Sequence, residues 1–242
     1  GSDSLTIAAG ATVRNPLQNV TLLSADNLVV AGTVDSAAKS ILRAFNDIDV
    51  QSTGIVRAVD QVLLTGDDGA ANSIGSTVAV AGQLIAPTIQ IRGGADSDKL
   101  VIGILMLAGH TETVWNITAS NAGNIDNVYE FALFENLEGG PQDDRFVYRE
   151  PVANSGLTNG GGGIDTLDYS GFSVATPVNV NLSIVPFGTR NGGTVSNVER
   201  VLGGAGNDNL TGSAVANWLI GGPGNDTLVG NGGDDILVGD TA

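Results

Sequence analysis

Apolar residues along the first hundred positions fall in short runs divided by small polar turns: SLTIAAG, NVTLLSADNLVVAG, IDVQSTGIVRAVDQVLLTG, STVAVAG and TIQIRGG. Within these runs apolar positions alternate, as at Ile48 and Val50, Val62 and Leu64, and Val78 and Val80. A period of two puts such side chains on one face of a strand, so the pattern predicts half-buried strands from Ser4 to about Ile102. The competing pattern is DSAAKSILRAF, where Asp35 could cap a short helix with Ala38, Leu42 and Phe45 on one face. Sandwiches and barrels usually show two-residue Asn-Gly or Asp-Gly hairpins, and DDG at 67–69 is the one clear candidate in this half. The expected fold class is therefore all-β, a parallel β-solenoid whose N-terminal part is a right-handed β-helix.

A second texture starts near Glu130, with FENLEGGPQDDRFVYRE, NGGGGIDTLDYSGF and VSNVERVLGGAGNDNLTG, and runs to the end. The expected division is residues 1–136 and residues 137–242. Glycine then recurs every ninth residue, at Gly203, Gly212, Gly221, Gly230 and Gly239. The units read GGAGNDNLT (203–211), GSAVANWLI (212–220), GGPGNDTLV (221–229) and GNGGDDILV (230–238). Three of the four share Gly at place four, Asp at place six and Leu at place eight.

This pattern resembles the glycine- and aspartate-rich nonapeptide repeats of secreted RTX proteins, G-G-x-G-x-D-x-(large apolar)-x. GGPQDDRFV at 139–147 and GGGGIDTLD at 160–168 resemble the same unit, and GGADSDKLV at 93–101 does so more loosely. The stretches between, TVWNITASNAGNIDNVYEFALFENLEGG and GIDTLDYSGF…VSNVERVLGG, resemble linking segments of very large bacterial surface and secreted proteins that carry such repeats. The resemblance implies a β-roll, calcium ions between turns, and a chain that is exported unfolded and folds where calcium is abundant. It also implies a C-terminal secretion signal, which would lie past Ala242.

Elementary chemistry points the same way. Six residues of turn need glycine where φ is positive or backbones approach closely, and three residues of strand need one large apolar side chain pointing inward. With two units per coil, turns eighteen residues apart stack, which places Asp208 over Asp226. Two carboxylates at about 4.8 Å repel by about 3 kcal/mol at an effective dielectric of ~20, so the stack calls for a cation between them. Paired carboxylates with turn carbonyls, here from Gly203, Ala205, Gly222 and Gly224 or their neighbours, supply the oxygen-only shell that calcium takes; magnesium keeps water and zinc prefers nitrogen or sulfur. On the opposite edge Asn217 stands where Asp belongs and Val215 where Gly belongs, beneath Asp235, so a weak or empty site is expected there. Gly239 and Asp240 should lie over Gly221 and Gly222, in a loop cut before its sixth place. Leu210, Leu219, Leu228 and Leu237 form the expected inner ladder, with Phe146 and Leu167 as earlier equivalents. Each buried leucine contributes roughly 1.5–3 kcal/mol, so a thin ladder makes metal binding and folding coupled events.

Other acids allow two readings. Asp144 and Asp165, 21 residues apart with Gln142 in place of a glycine, can form either a calcium site or a plain turn. Asp96 and Asp98 read as a plain turn, because Asp tolerates left-handed geometry. Asp47 and Asp49 share a strand face and read as solvated rather than as a catalytic pair. His110 is the single histidine and the chain has no cysteine, so neither a zinc centre nor a convincing triad is expected. Trp115 and Trp218 read as cover for a core or an open end, with Trp218 at an outward seventh place where it could be a carbohydrate platform.

Composition narrows the function classes. Thirty-five glycines among 242 residues, 5% aromatics and 15% charged residues disfavour a helix-rich fold. Twenty-six acids against ten basic residues give a net charge of −16, which repels nucleic acid and anionic membranes and attracts cations. No run of 18 apolar residues occurs, no signal-peptide pattern opens the chain, and Gly1–Ser2 reads as a cloning remnant on an excised piece of something larger. The expectation is a non-catalytic calcium-binding module of an extracellular or cell-surface bacterial protein, of adhesin or surface-layer type, with a surface glycan or protein as partner. Two alternatives stand beside it. One is a β-helix polysaccharide lyase or epimerase with an attached repeat module, although no Asp-Pro-His stretch and no Lys, Arg and Asp cluster supports it. The other is a subunit that self-associates head to tail through open solenoid ends.

Overall fold

The computed structural model describes residues 3–67, 75–103, 111–152, 155–183 and 193–240. His110 and the last two positions of the 67–69 hairpin candidate lie outside them. Among the described residues every regular element is a strand, and nearly every strand pair is parallel. The chain divides into two compact units, residues 1–109 with 127–137, and residues 110–126 with 138–242. The stretch 110–126, placed by sequence with the N-terminal part, thus packs with the C-terminal repeats.

The first unit is a parallel solenoid with three sheets. One stacks Leu5–Ile7, Leu28–Val30, Ile48–Val50, Thr77–Val80 and Lys99–Ile102. The second stacks Thr12–Asn15, Thr33–Ser36, Ile55–Ala58 and Gln83–Ile85, and the third Val20–Ser24, Lys39–Ala44, Gln61–Thr65, Thr88–Arg92 and Tyr129–Ala132. The alternation read from sequence becomes vertical ladders. Leu28, Ile48, Val78 and Leu100 stand in register and are fully buried. Leu42, Leu64, Ile91 and Phe131 do the same on the third sheet.

The helical alternative at Asp35 fails here. Thr33–Ser36 and Lys39–Ala44 are strands on two sheets, and Ser40, Leu42 and Ala44 point inward with period two. Val34 stacks between Val13 and Val56, and Leu42 between Leu22 and Leu64, contacts that a helix could not make. Buried Ser40 is satisfied by donating to the Arg57 carbonyl at 2.9 Å, and Phe45 is 39% exposed instead of joining an apolar helical face. Propensity for a short helix is a few tenths of a kcal/mol per residue, less than the burial of one such ladder position.

The second unit opens with an antiparallel hairpin, Glu112–Ala119 against Ala122–Ile125, which departs from the parallel rule. Glu112–Ala119 also pairs in parallel with Asp143–Tyr148, and the sheet continues through Thr166–Asp168, Arg200–Leu202, Trp218–Ile220 and Ile236–Val238. Asn179–Asn181, Asn209–Thr211 and Thr227–Val229 form a second parallel sheet. Successive nine-residue units therefore alternate between sheets, making a β-roll with two units per coil. Its core is aromatic at the early end: Trp115 stacks on Phe146 at 5.3 Å, and Tyr148 on Tyr169 at 4.9 Å. Later coils are aliphatic, with Leu167, Val201, Leu210 and Leu219 fully buried.

Candidate metal centre

In the four tandem repeats each turn is organised by the residue at its sixth place, which directly precedes the next strand. At 221–226 the chain leaves Trp218–Ile220, turns, and re-enters at Thr227–Val229. Gly222 and Gly224 have φ of 94° and 143°. A Cβ on Gly222 would stand 2.4 Å from the Gly204 carbonyl oxygen, and one on Gly224 2.1 Å from that of Gly206. Glycine is needed at both places, for the left-handed backbone and for the close approach of the coil beneath.

Asp226 sits at the sixth place over Asp208, as the eighteen-residue stack requires, with Asn209 in register with Thr227. Its Oδ1 accepts from the Asp208 amide at 2.8 Å, while its Oδ2 is buried and has no hydrogen-bond partner. Asp208 is almost wholly buried and accepts from the Gly204 amide at 2.6 Å and the Val178 amide at 2.8 Å. Burial pushes the Asp208 carboxyl above its ordinary range, and the charge of Asp226 pushes the same way. Gly203, Ala205, Asp208, Gly222, Gly224 and Asp226 thus lie together in two stacked turns. Within them the carbonyl oxygens that lie nearest Gly222 and Gly224 are those of Gly204 and Gly206, neighbours of Gly203 and Ala205. An unpartnered carboxylate oxygen among peptide carbonyls, beside a second buried acid, fits a hard, oxygen-seeking divalent cation of calcium's size.

The opposite edge carries a longer column. Register places Asp144, Asp165, Glu199, Asn217 and Asp235 one above another, Asp144 as the second residue of its strand and the other four just before theirs. The 21-residue spacing of Asp144 and Asp165 does not disturb it, since Arg145 pairs with Thr166. The Asp144 amide donates to Asp165 Oδ1 at 2.8 Å, and the Asp165 amide to Glu199 Oε2 at 2.9 Å. Gly161 and Gly163, with φ of 102° and 115°, repeat the geometry of Gly222 and Gly224. Asp165 Oδ2 is buried without a partner, as is Asp226 Oδ2. Burial pushes the Asp165 carboxyl up to about 7, helped by the charges of Asp144, Glu199 and Asp143. Asp144 is pushed by burial up to about 6, although Trp115 Nε1 at 2.9 Å and the Gly140 amide at 2.9 Å both donate to it.

Asn217, in the repeat 212–220, fills the place of an aspartate with an amide. Its Oδ1 accepts from the Ser213 amide at 2.6 Å, and its Nδ2 donates to the Glu199 carbonyl at 3.4 Å. The amide side chain supplies a donor on the side where an aspartate would leave an oxygen bare. Asp235 Oδ1 accepts from the Asn217 amide at 2.9 Å, and Val215, at place four, is exposed. Past the last strand, the Gly222 amide donates to the Gly239 carbonyl at 3.1 Å, so exposed Asp240 follows over the turn at Gly222.

Elsewhere Asp98 is fully buried and accepts from the Ser76 amide and hydroxyl and from the Gly94 amide, the turn role expected of it. Asp47 accepts from the Thr77 amide at 2.8 Å and Asp49 from Gln51 Nε2 at 3.1 Å, and both are half-buried. Trp115 lies in the core, whereas Trp218 is 38% exposed on the outer face with the Arg200 guanidinium 4.4 Å from its ring centre. Sequence reasoning missed Glu199 and the Trp115–Asp144 bond. Counting back nine from Gly203 puts Glu199 at the sixth place of 194–202, a signal present in the frame; nothing in the spacing announces the indole bond.

Among the described residues no three or more His, Asp or Glu side chains converge on one point; acids come as stacked neighbours with peptide carbonyls. No helix is long and apolar enough to cross a membrane. Residues 196–214 and 211–241 match the family HemolysinCabind, the RTX calcium-binding nonapeptide repeat, in four copies. No curated protein and no solved structure matches the chain.

Proposed function

From the premise that residues 196–241 are RTX calcium-binding repeats, we propose that the chain is a non-catalytic structural module of a secreted or cell-surface bacterial protein, of adhesin or surface-layer type. Calcium is held at the turns of Asp208 and Asp226, and again at those of Asp144 and Asp165. The observation that carries the reading is the bare, buried Oδ2 of Asp226. A buried ionised oxygen without a partner costs several kcal/mol, and a divalent cation removes that cost by direct ligation. Asp165 Oδ2 supports the second site by the same argument. Because the ligands come from different coils, binding the ion and closing the coil are one event. Such a module stays open where calcium is scarce and folds where it is abundant, which suits export.

A calcium titration of the metal-stripped chain, followed by far-ultraviolet circular dichroism, tests this. Calcium should raise the β-signal, and Asp226→Ala should move the midpoint to roughly tenfold higher calcium, the loss expected for one charged ligand. An identical spectrum with and without calcium, or an unmoved midpoint in Asp226→Ala, overturns the reading. Incubation with alginate or pectate tests the non-catalytic part: formation of unsaturated product would make the chain a lyase.

A further inference from the structure

The outer face of the larger sheet of the second unit holds a feature the calcium reading does not use. Arg145, Thr166, Arg200 and Trp218 stand in register on four successive strands, all facing away from the core ladder. Thr166 is short and sits between two arginines, which leaves a cleft of about 170 Å³ lined by Glu112, Arg145, Thr166, Arg200, Leu202 and Trp218. In a chain of net charge −16, two of the ten basic residues are gathered here.

The two arginines are not equivalent. Arg145 donates through Nε at 2.9 Å to Asp168, which is buried, so it is committed to holding that acid. Arg200 has no carboxylate partner among the described residues; its guanidinium carbon lies over the Trp218 ring, 4.4 Å from the ring centre, and its Nε is buried without a hydrogen bond. Glu112 lines the same cleft, and among the described residues its carboxylate forms no ion pair with Arg200. A guanidinium stacked on an aromatic ring keeps its edge free, and that edge matches a carboxylate. The carboxylate of Glu112 repels a bare anion but accepts from hydroxyl groups. Leu202 and the rim of Trp218 offer apolar surface, suited to the C–H face of a sugar ring.

We propose that this cleft binds a carboxylated oligosaccharide, with the sugar carboxylate on Arg200, ring hydroxyls on Glu112 and Thr166, and the ring face along Leu202 and Trp218. A uronate is the one class that uses every wall: a simple anion has no use for the apolar strip, and a neutral sugar leaves Arg200 unanswered.

The test is calorimetric titration of the calcium-loaded chain with oligogalacturonate, with a neutral glucan oligomer and with polyglutamate, for wild type, Arg200→Ala and Arg200→Lys. Arg145 is left intact, since its loss would strand buried Asp168. Oligogalacturonate should bind, the glucan and polyglutamate should not, Arg200→Ala should weaken binding about tenfold or more, and Arg200→Lys should recover part of it. Calcium-induced circular dichroism of each variant, expected to match wild type, keeps loss of fold apart from loss of the site. Oligogalacturonate binding that is absent, that is unchanged in Arg200→Ala, as bridging through calcium would give, or that is matched by the glucan or by polyglutamate overturns the proposal.

Discussion

Asn217 and Gly224 show how single positions decide which turns need a metal. Asn217 satisfies the Ser213 amide with one end and the Glu199 carbonyl with the other. Asn217→Asp replaces the donor by a second acceptor facing that carbonyl, and should cost about 1–3 kcal/mol in the metal-stripped chain. Adding Val215→Gly frees place four for the left-handed turn seen at Gly224, and the double variant should take up one more calcium ion than wild type, counted by native mass spectrometry. Gly224 makes the complementary case. Gly224→Ala forces a Cβ to 2.1 Å from the Gly206 oxygen at a φ of 143° and should abolish calcium-induced closure of that coil. Gly171→Ala meets nothing within 4 Å and should change stability by less than about 0.5 kcal/mol in a denaturant titration. At this scale the stacking of Asp226 over Asp208 was legible, because place six follows from a strict nine-residue frame, whereas the alignment of Asp144 with Asp165 across 21 residues comes from the strand register. The choice among neighbouring turn carbonyls, left open by the spacing, depends on backbone dihedrals that composition does not encode.

The roll's inner ladder shows how strands share the load. Phe146, Leu167, Val201, Leu219 and Leu237 stand on one sheet, and Val180, Leu210 and Leu228 on the other. The four leucines that spacing singles out are thus divided between two sheets, and Val201 and Val180 complete the columns from units too degenerate to show the motif. Burial grades the contributions: Val201 is fully buried and Leu237 is 46% exposed. Val201→Ala should therefore cost about 2 kcal/mol in calcium-saturated denaturant unfolding, and Leu237→Ala less, despite its larger side chain. In the first unit alternation alone was enough to place Val50, Leu64 and Val78 inside. It could not settle Asp35 to Phe45, where a short amphipathic stretch fits both periods and only stacking on the coils above and below selects the strand. The hairpin at Glu112–Ala119 was equally hidden, since its turn at Asn121, with φ of 57°, lacks a glycine at the tip.

Taken as a whole, the chain holds 26 acids against ten basic residues, and its second unit buries several of those acids side by side. Without metal this arrangement gives an unusual response to pH. Burial pushes the folded Asp165 carboxyl to about 7 and Asp144 to about 6, and raises Asp208 as well, all above the unfolded value near 3.8. Between those limits the folded state binds more protons than the unfolded one, so stability falls as pH rises. The contribution of these groups is fully present below about pH 4 and is lost as pH climbs through 6 and 7. Calcium inverts the dependence, because it binds the ionised carboxylates and must displace their protons. Metal-stripped protein should melt at a higher temperature at pH 5 than at pH 7.5, whereas protein in saturating calcium should melt higher at pH 7.5. Binding at pH 6 should also release protons, measurable as a buffer-dependent enthalpy in calorimetry. If metal-stripped protein instead gains stability steadily from pH 5 to 7.5, the buried acids are not protonated in the fold, and the stacked column cannot be what couples closure of the roll to calcium.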